Sequence, residues 1–217
     1  MRYRVFIPAR GGSKGLPNKN VKPFRGKPLI AWQIENAKAA GYKPHVVTDS
    51  ATIASLAYDY GAEIIDEPPE LAADDTALAD VARFFVQQVG RCHVIYLQPT
   101  SPLLGPATIT RAVNLHKTGN YDTVYSGWRL DAFVRDEAGE VVNHPLTEDG
   151  GLPFTKDMQP QWVQDGGVYV LSYESLQAAP YVVCGRIGVV TTDMLRWADI
   201  DTQADWTRAE KLAELWT

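Results

Sequence analysis

The chain has 217 residues, 45% of them hydrophobic and 22% charged, which is the composition of an ordinary globular protein with a sizeable core. The formal net charge of −5 argues against a non-specific binder of nucleic acid or of anionic membranes, since either partner requires an excess of cations. The two cysteines are far apart, which argues against a disulfide scaffold, and no apolar run forms a signal peptide or a membrane span, so we expect a cytoplasmic protein.

Strands and helices alternate through the first half of the chain. Short runs of β-branched and aromatic residues predict strands at Arg4–Ile7, His45–Thr48, Glu63–Ile65 and His93–Leu97. Apolar residues at helical spacing predict helices over Leu29–Ala40, Ile53–Tyr60 and Leu78–Val89. The alternation is typical of βαβ units and predicts an α/β fold with a mostly parallel sheet. Ligands of such sheets bind beyond the carboxyl ends of the strands, so we expect the site in the loops that follow them.

The second half of the chain is less regular. Its predicted elements are a helix over Thr108–Lys117, strands at Thr123–Ser126, Gly167–Leu171 and Ile187–Val190, and a closing helix over Thr202–Leu215 capped by Thr202. Between residues 129 and 164 turn signals predominate, with only short strand-like pieces such as Glu140–Val142. We therefore predict a single domain over residues 1–217 that carries an inserted arm over residues 129–164.

The loop PARGGSKGLPNKN after the first predicted strand combines glycines with cations. The glycines are Gly11, Gly12 and Gly15, and the cations are Arg10, Lys14 and Lys19. Glycine lets backbone N–H groups approach an anion closely, and the cations neutralise its charge. The spacing matches neither the Walker A loop nor the dinucleotide fingerprint. This composition favours polyphosphate binding, and the alternative is a flexible glycine-rich turn with solvated charges.

Two further segments place polar groups at the predicted ligand edge. In LQPTSPL, two prolines stiffen a loop that carries Gln98, Thr100 and Ser101. This loop could bind a ligand through these polar side chains, or it could be a rigid connection that leads into a helix, and the sequence favours neither interpretation. In LAADDTALAD, the Asp-Asp-Thr triplet precedes a predicted helix, and we expect at least one of its residues to cap that helix.

The segment WADIDTQADW carries three aspartates near the end of the chain. Asp199 and Asp201 project to the same side if the segment is extended, because only Ile200 separates them. Two close carboxylates repel each other unless a divalent cation lies between them, and hard oxygen ligands suit Mg²⁺. Asp205 suits the N-terminal dipole of the closing helix. The alternative is that all three aspartates cap this helix.

Several motifs of this chain resemble those of the acylneuraminate cytidylyltransferase family. In chain order they are IPARGGSKGLPNKN, GKPLIAWQIENA, VVTDS, PPELAADDT, LQPTSPL, DGGVYV and DIDTQADW. The resemblance implies a Rossmann-like, three-layer nucleotidyltransferase fold in which residues 129–164 form a small dimerisation arm, and hence a homodimer. It also implies an enzyme that transfers CMP from CTP to an α-keto sugar acid, releases pyrophosphate and uses Mg²⁺.

Positions within these motifs imply the site residues. The nucleotide and its phosphates would be held by Arg10, Gly11, Gly12, Ser13, Lys14, Lys19, Asn20, Asp75 and Thr76. The sugar acid would contact Gln98, Lys156, Gln159 and Asp165. Mg²⁺ would bind Asp199 and Asp201. Lys19, Arg10 and Asp201 would act in catalysis, in which cations stabilise the charge that grows on the phosphate oxygens.

A few positions depart from the family pattern. Glu67 and Leu104 stand where arginine is usual, and Asp165-Gly166-Gly167 stands in place of Asn-Gly-Ala. These departures concern recognition of the base and of the sugar, whereas the phosphate loop and the aspartate pair match. Two alternatives therefore stay open. One is a nucleotidyltransferase that uses another nucleoside triphosphate or a sugar phosphate, and the other is a nucleotide-binding protein without catalysis.

Overall fold

The computed structural model describes residues 1–12, 15–73 and 75–216, in which seven strands form one sheet and two short strands form a separate hairpin. The sheet contains β1 (Tyr3–Pro8), β4 (Pro44–Thr48), β5 (Glu63–Asp66), β6 (His93–Leu97), β7 (Thr123–Leu130), β8 (Gln161–Leu171) and β9 (Ile187–Thr192), and the hairpin contains β2 (Pro23–Phe24) and β3 (Lys27–Pro28). The helices are α1 (Leu29–Ala39), α2 (Ala51–Asp59), α3 (Leu78–Val89), α4 (Pro106–Gly119), α5 (Tyr173–Ala178) and α6 (Gln203–Ala213). None of the helices in these ranges is both long enough and apolar enough to cross a membrane.

The sheet has the strand order β5-β4-β1-β6-β8-β7-β9 and is mostly parallel. Strand β1 runs parallel to β4 and β6, β4 runs parallel to β5, and β7 runs parallel to β9. Strand β8 is antiparallel to both of its neighbours, β6 and β7. The predicted α/β fold class is confirmed. Because β1, β4, β5 and β6 share one direction, the loops that follow them emerge at one edge of the sheet.

Alternate residues of β1 belong to two hydrophobic clusters on opposite faces of the sheet. Val5 and Ile7 pack with apolar residues of α1, α2 and α4. Phe6 packs instead on Phe85 of α3, with 5.2 Å between the ring centroids. Successive side chains of a strand point to opposite faces, so one apolar run serves both clusters. The three layers hold the strand ends, and therefore the loops at the carboxyl edge, in fixed positions.

Most of the predicted elements are confirmed with small changes of length. Helix α3 has the predicted bounds, and α6 begins after the predicted cap, Thr202. The sequence pattern does not reveal α5 or the hairpin of β2 and β3. Helix α5 has 6 residues and each hairpin strand has 2 residues, so neither is long enough to produce a periodic pattern.

Strands β7 and β8 continue as a two-stranded ladder into the predicted arm. Their last pair joins Leu130 to Gln161, after a bulge between Tyr125 and Gly127. Beyond this ladder, residues 131–160 contain an isolated bridge between Arg135 and Val141 and a short 3-10 helix. The large apolar side chains exposed there are Val134, Val142, Leu146, Leu152 and Phe154. The arm is therefore rooted in the sheet and presents apolar surface to solvent.

Candidate active site

Lys19 joins the loop after β1 to the segment that precedes α6. Its Nζ donates to Asp201 Oδ1 at 2.5 Å and to the Ile200 carbonyl oxygen at 3.1 Å. The Lys19 side chain is 15% exposed and that of Asp201 is 65% exposed, so the ammonium is held in place while the carboxylate faces solvent. The two segments approach closely at Gly15, where a Cβ would lie 2.5 Å from the Asp201 carbonyl oxygen. The structure thus brings together a predicted catalytic lysine and a predicted metal ligand.

Asp199 is fixed by the loop after β6. Its Oδ1 accepts hydrogen bonds from Thr100 Oγ1 at 2.7 Å and from Gln98 Nε2 at 3.0 Å. Gln98 is oriented in turn by Tyr96, whose hydroxyl donates to Gln98 Oε1 at 3.0 Å. Within the described ranges no group donates a hydrogen bond to Asp199 Oδ2. One carboxylate oxygen is therefore held by the protein, and the other is left for a ligand.

The environment of Asp199 disfavours its negative charge. Burial raises the pKa of this carboxyl, the Thr100 hydrogen bond lowers it, and the charge of Asp201 raises it again. Ile200 is fully buried between the two aspartates, and its N–H donates to the Thr100 carbonyl oxygen at 3.0 Å. The two neighbouring carboxylates are thus anchored in a partly desolvated site, where a bound cation would stabilise both.

Asp205, the third aspartate of the segment, caps α6. Its Oδ2 accepts from the Thr202 N–H at 2.9 Å, and the Thr202 hydroxyl accepts from the Asp205 N–H at 3.3 Å, which is a capping box. The same Oδ2 accepts from the Asp201 N–H at 3.3 Å. The alternative in which all three aspartates cap this helix is wrong, because the side chains of Asp199 and Asp201 have other partners.

The loop after β1 borders a small cavity of about 200 Å³, whose polar lining includes Arg10, Asn18, Asn20, Ser50 and Thr52. The Gly11 N–H donates to Asp49 Oδ1 at 2.8 Å, and Asn20 Nδ2 donates to the Arg10 carbonyl oxygen at 3.3 Å. A Cβ on Gly12 would meet no described atom within 4 Å, so this part of the loop faces open space. Two of the predicted phosphate-binding residues, Ser13 and Lys14, lie outside the described residues.

Arg10 also lines a second cavity, of about 320 Å³, which lies between the end of β1 and the segment from β5 to α3. Its apolar lining consists of Pro8, Leu71, Ala73, Leu78 and Val81. Glu67 and Thr76 complete the lining, and Glu67 is 8% exposed. Burial raises the pKa of Glu67 to about 7, with a further rise from Asp49 and an opposing effect of Arg10.

Neither of the two described residues of the Asp-Asp-Thr triplet caps α3, so the expectation that at least one of the three does so stays a prediction. The N-cap of α3 is Ala77, which makes no side-chain cap hydrogen bond. Asp75 is exposed, and Thr76 lines the cavity that contains Glu67. Asp74 lies outside the described residues. Thr76 therefore borders a cavity that Arg10 of the predicted nucleotide loop also lines.

Residues 5–150 match the family model described as cytidylyltransferase. The chain belongs to the cytidylyltransferase family. It is 34% identical over 232 residues to the CMP-N,N'-diacetyllegionaminic acid synthase of Legionella pneumophila, covering 99% of this chain and 97% of that protein. It is 32% identical over 214 residues to N-acylneuraminate cytidylyltransferase A of Danio rerio, covering 95% of this chain and 50% of that protein. The chain thus spans nearly all of the bacterial relative and about half of the fish relative.

Solved structures share the fold of this cytidylyltransferase. A CMP:2-keto-3-deoxy-manno-octonic acid synthetase complexed with CTP superposes with a TM-score of 0.72 at 17% identity, covering 100% of both chains. The 4-diphosphocytidyl-2C-methyl-D-erythritol synthase of Anaerococcus prevotii gives a TM-score of 0.64 at 12% identity, covering 100% of this chain and 99% of that one. The predicted nucleotidyltransferase fold is confirmed.

Lys156 and Gln159 lie in residues 131–160, beyond the ladder of β7 and β8. The Lys156 Nζ lies 5.7 Å from the centroid of the Phe154 ring, which is itself 76% exposed. In the part of the chain that the structure describes, neither side chain is hydrogen-bonded to Gln98 or Asp199. A role for the arm residues at the site of the same subunit therefore gains no support from the structure.

The fourth predicted substrate residue, Asp165, is buried and fully hydrogen-bonded. Its Oδ1 accepts from Ser126 Oγ at 2.5 Å and from the Gly167 N–H at 3.0 Å, and its Oδ2 accepts from Thr192 Oγ1 at 2.7 Å. At 1% exposure the carboxyl has no surface for a ligand. Instead of the expected contact with substrate, Asp165 joins β7, β8 and β9 behind the site.

The sequence reasoning missed two side chains that orient the site. Tyr96 orients Gln98, and Asp49 accepts a hydrogen bond from the Gly11 N–H. Tyr96 lies two residues before Gln98 on a strand, so the two share a face, and this period-2 relation could have indicated the contact. Asp49 follows β4 directly, at the edge where ligands of parallel sheets bind. Ser50, its neighbour, caps α2.

Proposed function

We propose that this cytidylyltransferase transfers CMP from CTP to the anomeric hydroxyl of an α-keto sugar acid of the nonulosonate type and releases pyrophosphate. The observation that carries the proposal is the ion pair of Lys19 and Asp201 beside Asp199. Lys19 belongs to the loop that follows β1, at the carboxyl edge of the sheet. The relatives support the acceptor class, since one is named as a CMP-N,N'-diacetyllegionaminic acid synthase and another as an N-acylneuraminate cytidylyltransferase.

The assigned roles follow from where charge develops in this reaction. The sugar hydroxyl attacks the α-phosphorus of CTP in line and releases its proton to solvent, while the bond from that phosphorus to the bridging oxygen breaks and pyrophosphate leaves. Negative charge grows on the bridging and terminal oxygens, so cations placed there stabilise the transition state more than the ground state. We assign this role to Lys19 and Arg10. Lys19 suits it because two acceptors hold its Nζ in one place.

The nucleotide would lie over the loop after β1. Its phosphates suit the open space around Gly12, and the side chain of Asn20 lines the adjoining cavity. Thr76 lines the neighbouring cavity and offers a hydroxyl to the same nucleotide. Asp75 is exposed and adjoins it in sequence.

Mg²⁺ would bind Asp199 and Asp201. Asp199 Oδ2 and the exposed carboxylate of Asp201 are hard oxygen donors on one short segment. Mg²⁺ commonly binds through one or two carboxylates and completes its shell with substrate phosphates and water. The described residues contain no group of three or more His, Cys, Asp or Glu that could hold a metal, so phosphates and water would have to complete the shell around these two aspartates. When bound, the cation would neutralise phosphate charge, while Thr100 and Gln98 keep the Asp199 carboxylate oriented.

Gln98 would contact the sugar acid. Its amide is held by Tyr96, Thr100 and Asp199, so its orientation is set before a substrate arrives. Both Nε2 hydrogens are donated to Thr100 and Asp199, so the remaining acceptor capacity of Oε1 suits recognition of a sugar hydroxyl.

The proposed reaction is tested by pyrophosphate release with purified protein and Mg²⁺. Each of the four nucleoside triphosphates is combined with nonulosonic acids, octulosonic acids and sugar 1-phosphates. We expect release with CTP and a nonulosonic acid. Turnover of a sugar 1-phosphate alone would contradict the acceptor class, and CTP binding without release for any acceptor would indicate a nucleotide-binding protein without catalysis.

We further infer that the arm joins two copies of the chain into a homodimer. The exposed apolar residues of the arm support this, because a monomer would leave them in water. Lys156 and Gln159 would then reach the site of the partner subunit. Analytical ultracentrifugation should show a dimer that Phe154→Ser weakens, whereas the matched change Tyr58→Ser, an aromatic 72% exposed on α2, leaves it intact. A wild-type monomer at micromolar concentration would contradict the inference.

A further inference from the structure

Glu67 is only 8% exposed and lines the 320 Å³ cavity, and no group in residues 1–12, 15–73 or 75–216 donates a hydrogen bond to its carboxyl. Its backbone is anchored, since the Glu67 N–H donates to the Thr48 carbonyl oxygen at 2.9 Å. Buried polar groups in proteins are nearly always hydrogen-bonded, because burial without a partner is costly. A carboxyl on a largely shielded residue that faces a cavity, and that has no donor among the described residues, is therefore suited to pair with a ligand in that cavity.

The shape and lining of this cavity suit a heterocyclic base. Its walls are mostly apolar, and its polar groups lie on Glu67, Thr76 and Arg10. Pockets of this kind bind a flat apolar ring and orient it with a few polar groups. Arg10 lines both this cavity and the smaller cavity of the phosphate loop, so a nucleotide whose phosphates lie over that loop can place its base beside Glu67.

Two charges from neighbouring elements act on Glu67. Asp49, in the loop after β4, disfavours the carboxylate, and Arg10, in the loop after β1, favours it. Asp66, Glu70 and Asp75 of its own segment and Asp80 of α3 are exposed to solvent. With burial as the largest influence, the pKa of Glu67 is raised to about 7, so the neutral acid is substantially populated near pH 7.

A neutral carboxylic acid and a carboxylate recognise different base edges. The neutral acid offers one O–H donor and one acceptor oxygen, whereas the carboxylate offers acceptors only. Cytosine presents the acceptor N3 beside the N4 amino donor. The neutral acid matches both groups, whereas a carboxylate would repel the N3 lone pair.

We propose that Glu67 recognises the cytosine of CTP as a protonated carboxyl, which donates to N3 and accepts from the N4 amino group. The proposal rests on the proposed function for the identity of the nucleotide. It makes CTP affinity depend on pH, since only the protonated form of Glu67 is competent. Affinity falls in proportion to the competent fraction, so the Kd for CTP should rise about tenfold from pH 6 to pH 8.

The test measures CTP binding to the whole chain by calorimetry with Mg²⁺ and without a sugar acid, so that it does not depend on turnover. Glu67→Gln retains a donor and an acceptor but cannot titrate. We expect its Kd to vary little over this range and to be about tenfold below that of wild type at pH 8. The matched control Asp66→Asn removes the neighbouring exposed charge and should keep the wild-type pH dependence.

A second measurement on wild-type protein keeps the proposal testable if Glu67→Gln does not fold. At pH 8, in buffers of different ionisation enthalpy, CTP binding should take up about one proton. Binding without proton uptake, or a Glu67→Gln variant with the wild-type pH profile, would overturn the proposal. If the chain binds CTP with the expected pH dependence but transfers CMP to no acceptor, the proposed function fails while the role of Glu67 stands.

Discussion

The two edges of the central sheet both carry clustered titratable groups beside a cavity, but the clusters differ in kind. At the amino edge, the Tyr3 hydroxyl is hydrogen-bonded to His116 Nδ1 at 2.8 Å, and the His93 and His116 rings lie 5.1 Å apart beside a cavity of about 520 Å³. Burial, and then His93, lower the pKa of His116 to about 4, so this ring is neutral at pH 7.

The carboxyl edge holds an ion pair and carboxyl oxygens without a donor among the described residues, whereas the amino edge holds histidine rings in edge-on contact. Lys19 pairs with Asp201, Asp199 Oδ2 has no donor among the described residues, and Glu67 lines an apolar cavity. Both edges therefore contain strongly shifted pKa values. The amino-edge cavity is lined by Lys117, Asp122 and Glu174 as well, but at the carboxyl edge the charged groups adjoin a glycine-rich loop with open space at Gly12 and an apolar cavity beside Glu67. A shifted pKa marks a functional site only where the neighbouring groups supply a ligand's remaining contacts.

The largest expected effect is that of removing Lys19 or Asp201 at the carboxyl edge. Lys19→Ala or Asp201→Ala should lower kcat by about 10³-fold or more, because each removes charge stabilisation at the transferring phosphate. Pyrophosphate release under saturating CTP and acceptor measures it, and an unchanged melting temperature shows that folding is intact. The matched control is Lys43→Ala, which breaks the ion pair of Lys43 and Glu63 beside the amino end of β4 and should leave kcat unchanged. Near-wild-type rates in either carboxyl-edge variant would refute the assignment.

A smaller effect is expected from crowding the contact between the phosphate loop and the aspartate segment. Gly15→Ala would place a Cβ 2.5 Å from the Asp201 carbonyl oxygen, so one of the two segments must move. Displacements of about 1 Å at such sites lower rates by about 10²-fold, and we expect a loss of that order in kcat/KM.

Gly105→Ala is the matched control for this prediction. Gly105 is at the same edge, with a φ of −84° that any residue adopts and no described atom within 4 Å of an added Cβ. The kcat/KM of Gly105→Ala should equal that of wild type. Equal rates for both alanine variants would show that the close approach at Gly15 does not position the site.

The sequence predicts the parts of this molecule that depend on local pattern. The apolar run of β1, the glycine-rich loop after it and the Asp199–Asp201 pair are all visible without the fold. What local pattern cannot supply is a contact such as that of Lys19 with Asp201, which are 182 positions apart. Local sequence pattern also cannot show which polar side chains become buried with partners and which do not. Asp165 and Glu67 are both acidic residues followed by a glycine or a proline, but packing gives Asp165 three hydrogen bonds and leaves Glu67 in a cavity without a donor among the described residues.

The smallest expected effect on the rate of CMP transfer is that of changing His116 at the amino edge. This residue should influence the free energy of unfolding and not the reaction. Its pKa is about 4 in the folded state and near 6.5 when unfolded, so between these values the unfolded chain binds more protons. Stability should therefore fall as the pH drops from 7 to 5, by about 2 kcal/mol through this group. In His116→Gln this part of the pH dependence should disappear, as measured by denaturant unfolding at both pH values, while kcat at pH 7 stays unchanged. If the free energy of unfolding of His116→Gln falls as much between pH 7 and pH 5 as that of wild type, the burial of a neutral His116 does not cause this part of the pH dependence.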